Sequence, residues 1–302
     1  MFDTKNFHPF TIDSTELLKT LHSLGNFSYI INPGNMGDML IASATMQFFD
    51  NNNLTNNIDN YSSETIVYGG GGLWTSDYEK RWIKFLPVFA RAKRIVILPS
   101  SFNKCQKLIN IMDERFVVFC REYKSYDYLI STNSKAKIIL DHDMALRIQK
   151  EILSFAPQIN DLERNILNQV IDEMKKVSLI AKFMRKDLEK IKNYETDFDL
   201  SSSGFCDHDT NRDYIDFNSQ LMLCAVDSVD AIITDRLHVA IAGALMGKEV
   251  YILDNSYGKL SSVYKHSLSD NPRVHFCTKM PSTLNPKHTA TDNFDRLKEL
   301  LK

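Results

Sequence analysis

The chain has 302 residues, 43% of them hydrophobic and 25% charged, which suits a soluble globular protein with material for about two domains. Its formal net charge of −2 provides no basic field, so non-specific nucleic-acid binding is excluded as a main activity and an anionic ligand must be met by a few placed cations. Five cysteines without a CxxC pair fit reduced cytoplasmic thiols better than a disulfide framework or a structural zinc, and neither an export leader nor a membrane-spanning run is expected.

Asp13 and Glu16 open a helix expected through residue 24, and Tyr29-Ile30-Ile31 reads as a short buried strand. This strand empties into Asn32-Pro33-Gly34-Asn35-Met36-Gly37-Asp38, behind which residues 39–49 carry a helical pattern. Residues 64–68 form a second strand that runs into Gly69-Gly70-Gly71-Gly72. RIVIL at 94–98 and FVVFC at 116–120 are two more β-rich runs, and alternation of this kind implies a parallel sheet. Residues 143–176 read as a long helical stretch interrupted at Pro157, and the domain junction is placed there. A second α/β run starts with a strand at 179–184, passes an apolar helix around 221–225 and reaches Ala231-Ile232-Ile233-Thr234. A helix at 239–246, a stop at Gly247, a strand at 250–253 and an amphipathic helix at 292–302 complete the reading. The expected division is a domain at 1–145, a helical connection at 146–176 and a second domain at 177–302.

In open parallel sheets, ligands sit beyond the carboxyl ends of the strands, where loops lead into helix N-termini. Three segments lie at such points: GNMGD, GGGG and TDRLH. Gly34 and Gly37 would let backbone N–H groups of the Asn35 turn approach a ligand, though a tight turn without a ligand explains them equally. The four glycines, Gly70 and Gly71 at their centre, are costly in regular structure and point to a close approach; Trp74 beside them is a sugar platform or a core aromatic. Arg185 and Asp187 stand where the first strand of the second half ends, and Arg236 with His238 follows a strand too apolar to be exposed. Arg236 is a fixed bidentate donor to carboxylate or phosphate, while His238 can protonate near neutral pH. Lys259 brings a further cation to the same rim or is merely solvated. Cys206-Asp207-His208-Asp209 lacks metal-ligand spacing, and no metal site is assigned.

Taken in order, NPGNMGD, GGGGLW, CREYKS (120–125), LDHDMAL (140–146), KFMRKDLE, ITDRLHVAIAGALMG and YGKLSSVY resemble the polysaccharide pyruvyl transferase family. The resemblance implies an α/β fold of two Rossmann-like domains facing a cleft, as in GT-B glycosyltransferases, with the N-terminal domain as the acceptor side and the C-terminal one as the donor side. It implies transfer of pyruvate from phosphoenolpyruvate, a co-substrate and not a cofactor, to a sugar as a ketal, with release of phosphate. The acceptor would belong to a capsule or exopolysaccharide or its lipid-linked precursor, placing a cytoplasmic enzyme in peripheral contact with the inner membrane face. The family's donor-binding positions fall on Arg185, Arg236, Leu237 and His238, with Lys259 at a matching place. The sequence departs from the pattern by a fourth glycine in GGGG and by Lys186 between Arg185 and Asp187.

Ketal formation from an enol phosphate needs an acid for the methylene carbon and a base for the attacking hydroxyl. His238 is the expected acid, and Asp38, or else Asp187, the expected base. A nucleotide-sugar glycosyltransferase of the same architecture is the competing reading, since glycine-rich loops and an arginine also grip a diphosphate.

Overall fold

The computed structural model describes residues 6–32, 34–154, 159–187, 190, 194–203, 211–254 and 258–281. The chain divides into two compact units. One takes Thr11–Asn32 and Ala44–Arg147; the other gathers the described parts of Met1–Phe10, Pro33–Ser43 and Ile148–Lys302. The amphipathic helix expected at 292–302, the Pro157 break and the Cys206 to Asp209 run all lie outside the described residues.

The first unit is built on strands β1 (Phe27–Ile30), β2 (Asn56–Ile58), β3 (Thr65–Tyr68), β4 (Gly71–Thr75), β5 (Arg94–Asn103), β6 (Phe116–Cys120) and β7 (Lys137–Leu140). They lie in the order β2-β1-β3-β5-β6-β7, with β4 alongside β5, and every pairing is parallel. Strands covered on both faces carry continuous apolar runs, as TIVY, RIVIL and FVVFC do. The core beside them is aromatic: the Trp74 ring lies 4.9 Å from that of Tyr68 and 5.8 Å from that of Trp82. Trp74 is therefore a core side chain, the second of its two readings. Half of the glycine run is also strand: Gly71 opens β4 with φ +132°, a backbone region that side chains rarely enter.

The second unit carries four parallel strands in sequential order, β8 (Ile180–Phe183), β9 (Ala231–Thr234), β10 (Glu249–Leu253) and β11 (Val274–Cys277). Helices Arg212–Asp227 and Leu237–Leu245 belong to it. Residues 36–43, the start of helix Met36–Asn51, belong to it too, and Ser43 donates to a buried Asp216 carboxylate on helix Arg212–Asp227 at 2.5 Å. The GNMGD turn, expected with the N-terminal domain, thus packs with the C-terminal half. The stretch expected as helical on both sides of Pro157 begins as two 3-10 turns, Met144–Arg147 and Lys150–Ser154, and carries helix Asp161–Met174. Asn160 and Glu163 start that helix afresh by a reciprocal capping box, which is why the helical pattern does not run through.

The CREYKS and LDHDMAL segments hold the carboxyl ends of β5, β6 and β7 together. Arg121 Nη1 donates to Asp143 Oδ2 at 2.7 Å with both side chains buried, and Arg121 Nε donates to Ser101 Oγ at 2.9 Å. Ser101 and Ser125 both donate to the buried Glu122 carboxylate. Arg147 repeats the theme against Asp141 at 2.7 Å. Asp143→Ala, by removing the carboxylate of a buried guanidinium, is expected to cost about 3–5 kcal/mol, read as a drop in the urea unfolding midpoint.

Candidate active site

The second unit's arginines stand at the carboxyl ends of β8 and β9. Phe183 and Thr234 are register partners at the ends of these strands, and Thr234 Oγ1 donates to Phe183 O at 2.7 Å while accepting the Arg236 N–H at 2.9 Å. Asp235 Oδ1 accepts the Arg185 N–H at 2.7 Å, tying one strand's exit to the other's. The two loops are thereby held in one register, and Arg185 and Arg236 come together.

Both guanidiniums are buried, and both meet carboxylates. Arg185 forks onto Asp187, Nε to Oδ1 at 2.8 Å and Nη2 to Oδ2 at 3.1 Å. Arg236 Nη1 reaches the same Asp187 Oδ2 at 2.7 Å, so Asp187 spans the pair. On its other edge Arg236 forks onto Asp199, with Nε 3.0 Å from Oδ1 and Nη2 on Oδ2. Such bidentate, charge-assisted contacts fix the guanidinium planes. Beneath them, burial raises the Asp235 carboxyl above its ordinary value of 3.8, against the opposing pull of the Arg185 N–H and the charges of Arg185 and Arg236.

Leu237 and His238 open helix Leu237–Leu245, with Arg236 at its N-cap. The imidazole lies directly over Gly37 in the first turn of helix Met36–Asn51: a Cβ on Gly37 would stand 2.3 Å from His238 Nδ1. Two helix N-termini, each carrying a partial positive charge, thus meet at the histidine. The turn that delivers Gly37 is locked by Asn35, whose Oδ1 accepts the Gly37 N–H at 2.8 Å, and by Asp38, whose Oδ2 accepts the Asn35 N–H at 3.0 Å. Asp38 folds so closely under Gly34 that a Cβ there would overlap its carboxylate. Asp38, Gly34, Asn35 and Gly37 therefore share one compact unit with His238, Arg236, Arg185 and Asp187.

Lys259 follows β10, the next strand in the sheet, as the buried first residue of helix Lys259–Val263, after Gly258 at φ +69°. Gly70 and Gly71 lie in the other unit, where the strand order changes direction between β1 and β3. There Asn32 Nδ2 donates to Gly70 O at 3.2 Å, Tyr68 Oη donates to Asn32 Oδ1 at 3.3 Å and Gly69 N–H donates to Ile30 O at 2.8 Å. A switch point of this kind is where open parallel sheets bind ligands. Asp199 and Asp235 are site residues the sequence reading missed: Asp235 sat unremarked inside TDRLH, and Asp199 lies in a loop with no periodic pattern. Among the described residues no cluster of three or more His, Cys, Asp or Glu side chains could hold a metal, and no helix is long and apolar enough to cross a membrane.

The family model for polysaccharide pyruvyl transferase matches residues 35–257, a span that starts at the Asn35 turn and includes both arginines and the histidine. The chain belongs to the polysaccharide pyruvyl transferase family. It is similar to a functionally uncharacterised protein of Klebsiella pneumoniae of known crystal structure, at 32% identity and a TM-score of 0.70, over 87% of this chain and 96% of that one. No curated protein matches it. Membership makes the chain a transferase acting in polysaccharide pyruvylation.

In this pyruvyl transferase Gly37→Ala must displace the His238 ring. Misplacement of about 1 Å at a reacting group can cost on the order of 100-fold, so kcat/KM should fall about that far in protein whose circular dichroism matches the native fold. Asp235→Asn tests the buried acid. Because the folded protein holds the Asp235 proton more tightly than the unfolded chain, the stability contributed by its neutral form is lost as pH rises above 3.8 toward the raised value. The melting temperature of the variant relative to the native protein should therefore rise over that pH range.

Proposed function

We propose that the enzyme takes phosphoenolpyruvate as its donor and forms a pyruvate ketal on a sugar of a surface polysaccharide or of its lipid-linked precursor. The observation that carries this reading is the joining of two buried arginines to a histidine pinned between two helix N-termini. Phosphoenolpyruvate carries a carboxylate and a phosphate, so it needs two or more cations in fixed geometry. Arg185 and Arg236 would bind those two groups, with Lys259 as a further cation on the same sheet edge. Leu237 would present its backbone at the helix start.

His238 donates a proton to the methylene carbon, which becomes the methyl group, and leaves an oxocarbenium-like centre at the adjacent carbon. One sugar hydroxyl attacks that carbon and gives its proton to a base. The carbon–oxygen bond to phosphate then breaks, with the electron pair leaving on phosphate, which takes the proton the base had accepted, and a second hydroxyl closes the ketal as its proton returns to His238. Asp38 is the base proposed for the acceptor, and Asp187, whose oxygens accept N–H groups from both arginines, is its rival. A cytoplasmic enzyme working at the inner membrane face suits a lipid-linked acceptor.

The test is to incubate the enzyme with phosphoenolpyruvate and short synthetic glycans, free and lipid-linked. Phosphate release together with a glycan mass gain of pyruvate less water is expected; release of UDP from a sugar nucleotide instead would overturn the donor. His238→Ala should lower turnover by roughly 100- to 10,000-fold while phosphoenolpyruvate still raises the melting temperature. Near-normal turnover in that variant would remove His238 from the role of acid.

A further inference from the structure

We propose that the two carboxylates on the arginine pair have opposite roles: Asp199 is a fixed positioning residue for Arg236, and Asp187 is an exchangeable counter-ion whose place the donor anion takes. The proposal rests on the donor reading above and adds to it what each acid does.

Asp199 is built in from several sides. It accepts Nε and Nη2 of Arg236, the backbone N–H of Lys186 at 3.1 Å and the Ser202 hydroxyl at 3.1 Å. Its side chain is 6% exposed, matching that of the arginine it holds. These donors come from the loop after β8, the turn after Asp199 itself and the loop after β9. Displacing Asp199 would break all of these contacts and leave a guanidinium without its buried partner, a cost no ligand offsets by touching one edge.

Asp187 differs in each respect. Its side chain is 37% exposed, against 6% for both Arg185 and Arg236. Its carboxylate bridges the two guanidiniums, taking Nε and Nη2 of Arg185 and Nη1 of Arg236. A carboxylate laid across two guanidiniums makes the bonds that the carboxylate or phosphate of a donor would make there. The incoming anion and Asp187 therefore compete for the same N–H groups, and Asp187 is the member of the cluster that solvent reaches. Before the donor arrives, the counter-ion keeps two buried cations from standing close together unneutralised. Afterwards the donor supplies that charge, and part of its binding energy has gone into the exchange.

The consequence is a pair of substitutions with effects of opposite sign. Binding of phosphoenolpyruvate and, separately, of inorganic phosphate would be measured by titration calorimetry on the native enzyme and on Asp199→Asn, Asp187→Asn and Asp187→Ala, with each fold checked by circular dichroism. Asp199→Asn should weaken phosphoenolpyruvate binding by about tenfold or more, the scale of one charge-assisted hydrogen bond, and should cost nothing further in an Arg236→Ala background. Both Asp187 variants should bind phosphoenolpyruvate more tightly than the native enzyme. Tighter phosphate binding as well would identify the phosphate as the group that displaces Asp187; a gain confined to phosphoenolpyruvate would identify the carboxylate. If both Asp187 variants weaken binding as Asp199→Asn does, the exchange is overturned. If Asp199→Asn still lowers affinity when Arg236 is absent, its positioning role is overturned. Failure of the native enzyme to bind phosphoenolpyruvate at all would overturn the donor reading itself, a result distinct from either.

Discussion

A buried guanidinium cannot lose its proton, so a fold that takes one out of water must place a carboxylate against it. This enzyme does so repeatedly. Arg121 meets Asp143, Arg147 meets Asp141, and Arg185 and Arg236 share Asp187, with Asp199 on the far edge of Arg236. In the seven-stranded unit Arg121 and Asp143 tie together the ends of the neighbouring strands β6 and β7. In the four-stranded unit one of the carboxylates, Asp187, is accessible to solvent.

The histidine adds a second constraint, of space and not of charge. His238 and Gly37 both stand in the first turn of a helix, and the helices approach until no side chain fits between imidazole and backbone. Such contact fixes the ring's position without a side-chain partner on Gly37, and it surrounds the site with N–H groups whose dipoles favour an anion. The histidine held this way follows Arg236 closely because Arg236 is the N-cap of the helix whose first turn carries His238.

Much of this could be read from the sequence where a pattern repeats. The apolar runs at β3, β5, β6 and β9 named the strands, and TDRLH named the anion grip. The short strands β2, with sequence NNI, and β11, with VHFC, passed unmarked because three or four residues give no period to detect. The glycine run concealed β4, since glycine argues against a strand until a neighbour and a left-handed φ explain it. Asp199 was invisible for a different reason: its role exists only through Arg236, 37 positions away in the chain, and nothing local marks it. The turn at Gly34 to Asp38 was legible as a turn, but its companions were not, because the choice between two units is a matter of packing.

That packing reaches backward along the chain. Ser43 and Asp216 are 173 residues apart, and Gly37 and His238 stand further apart still, yet each pair lies within one unit. During synthesis, the glycine turn leaves the ribosome long before the histidine that will rest on it has been made. A gene cut between Arg147 and Ile148 would leave that turn on one fragment and the imidazole on the other. Recombination that exchanges whole halves between relatives would bring together turns and histidines that had not evolved in contact. The contact is thus inherited as a long-range match between two distant stretches of the gene, and evolution has to change them together.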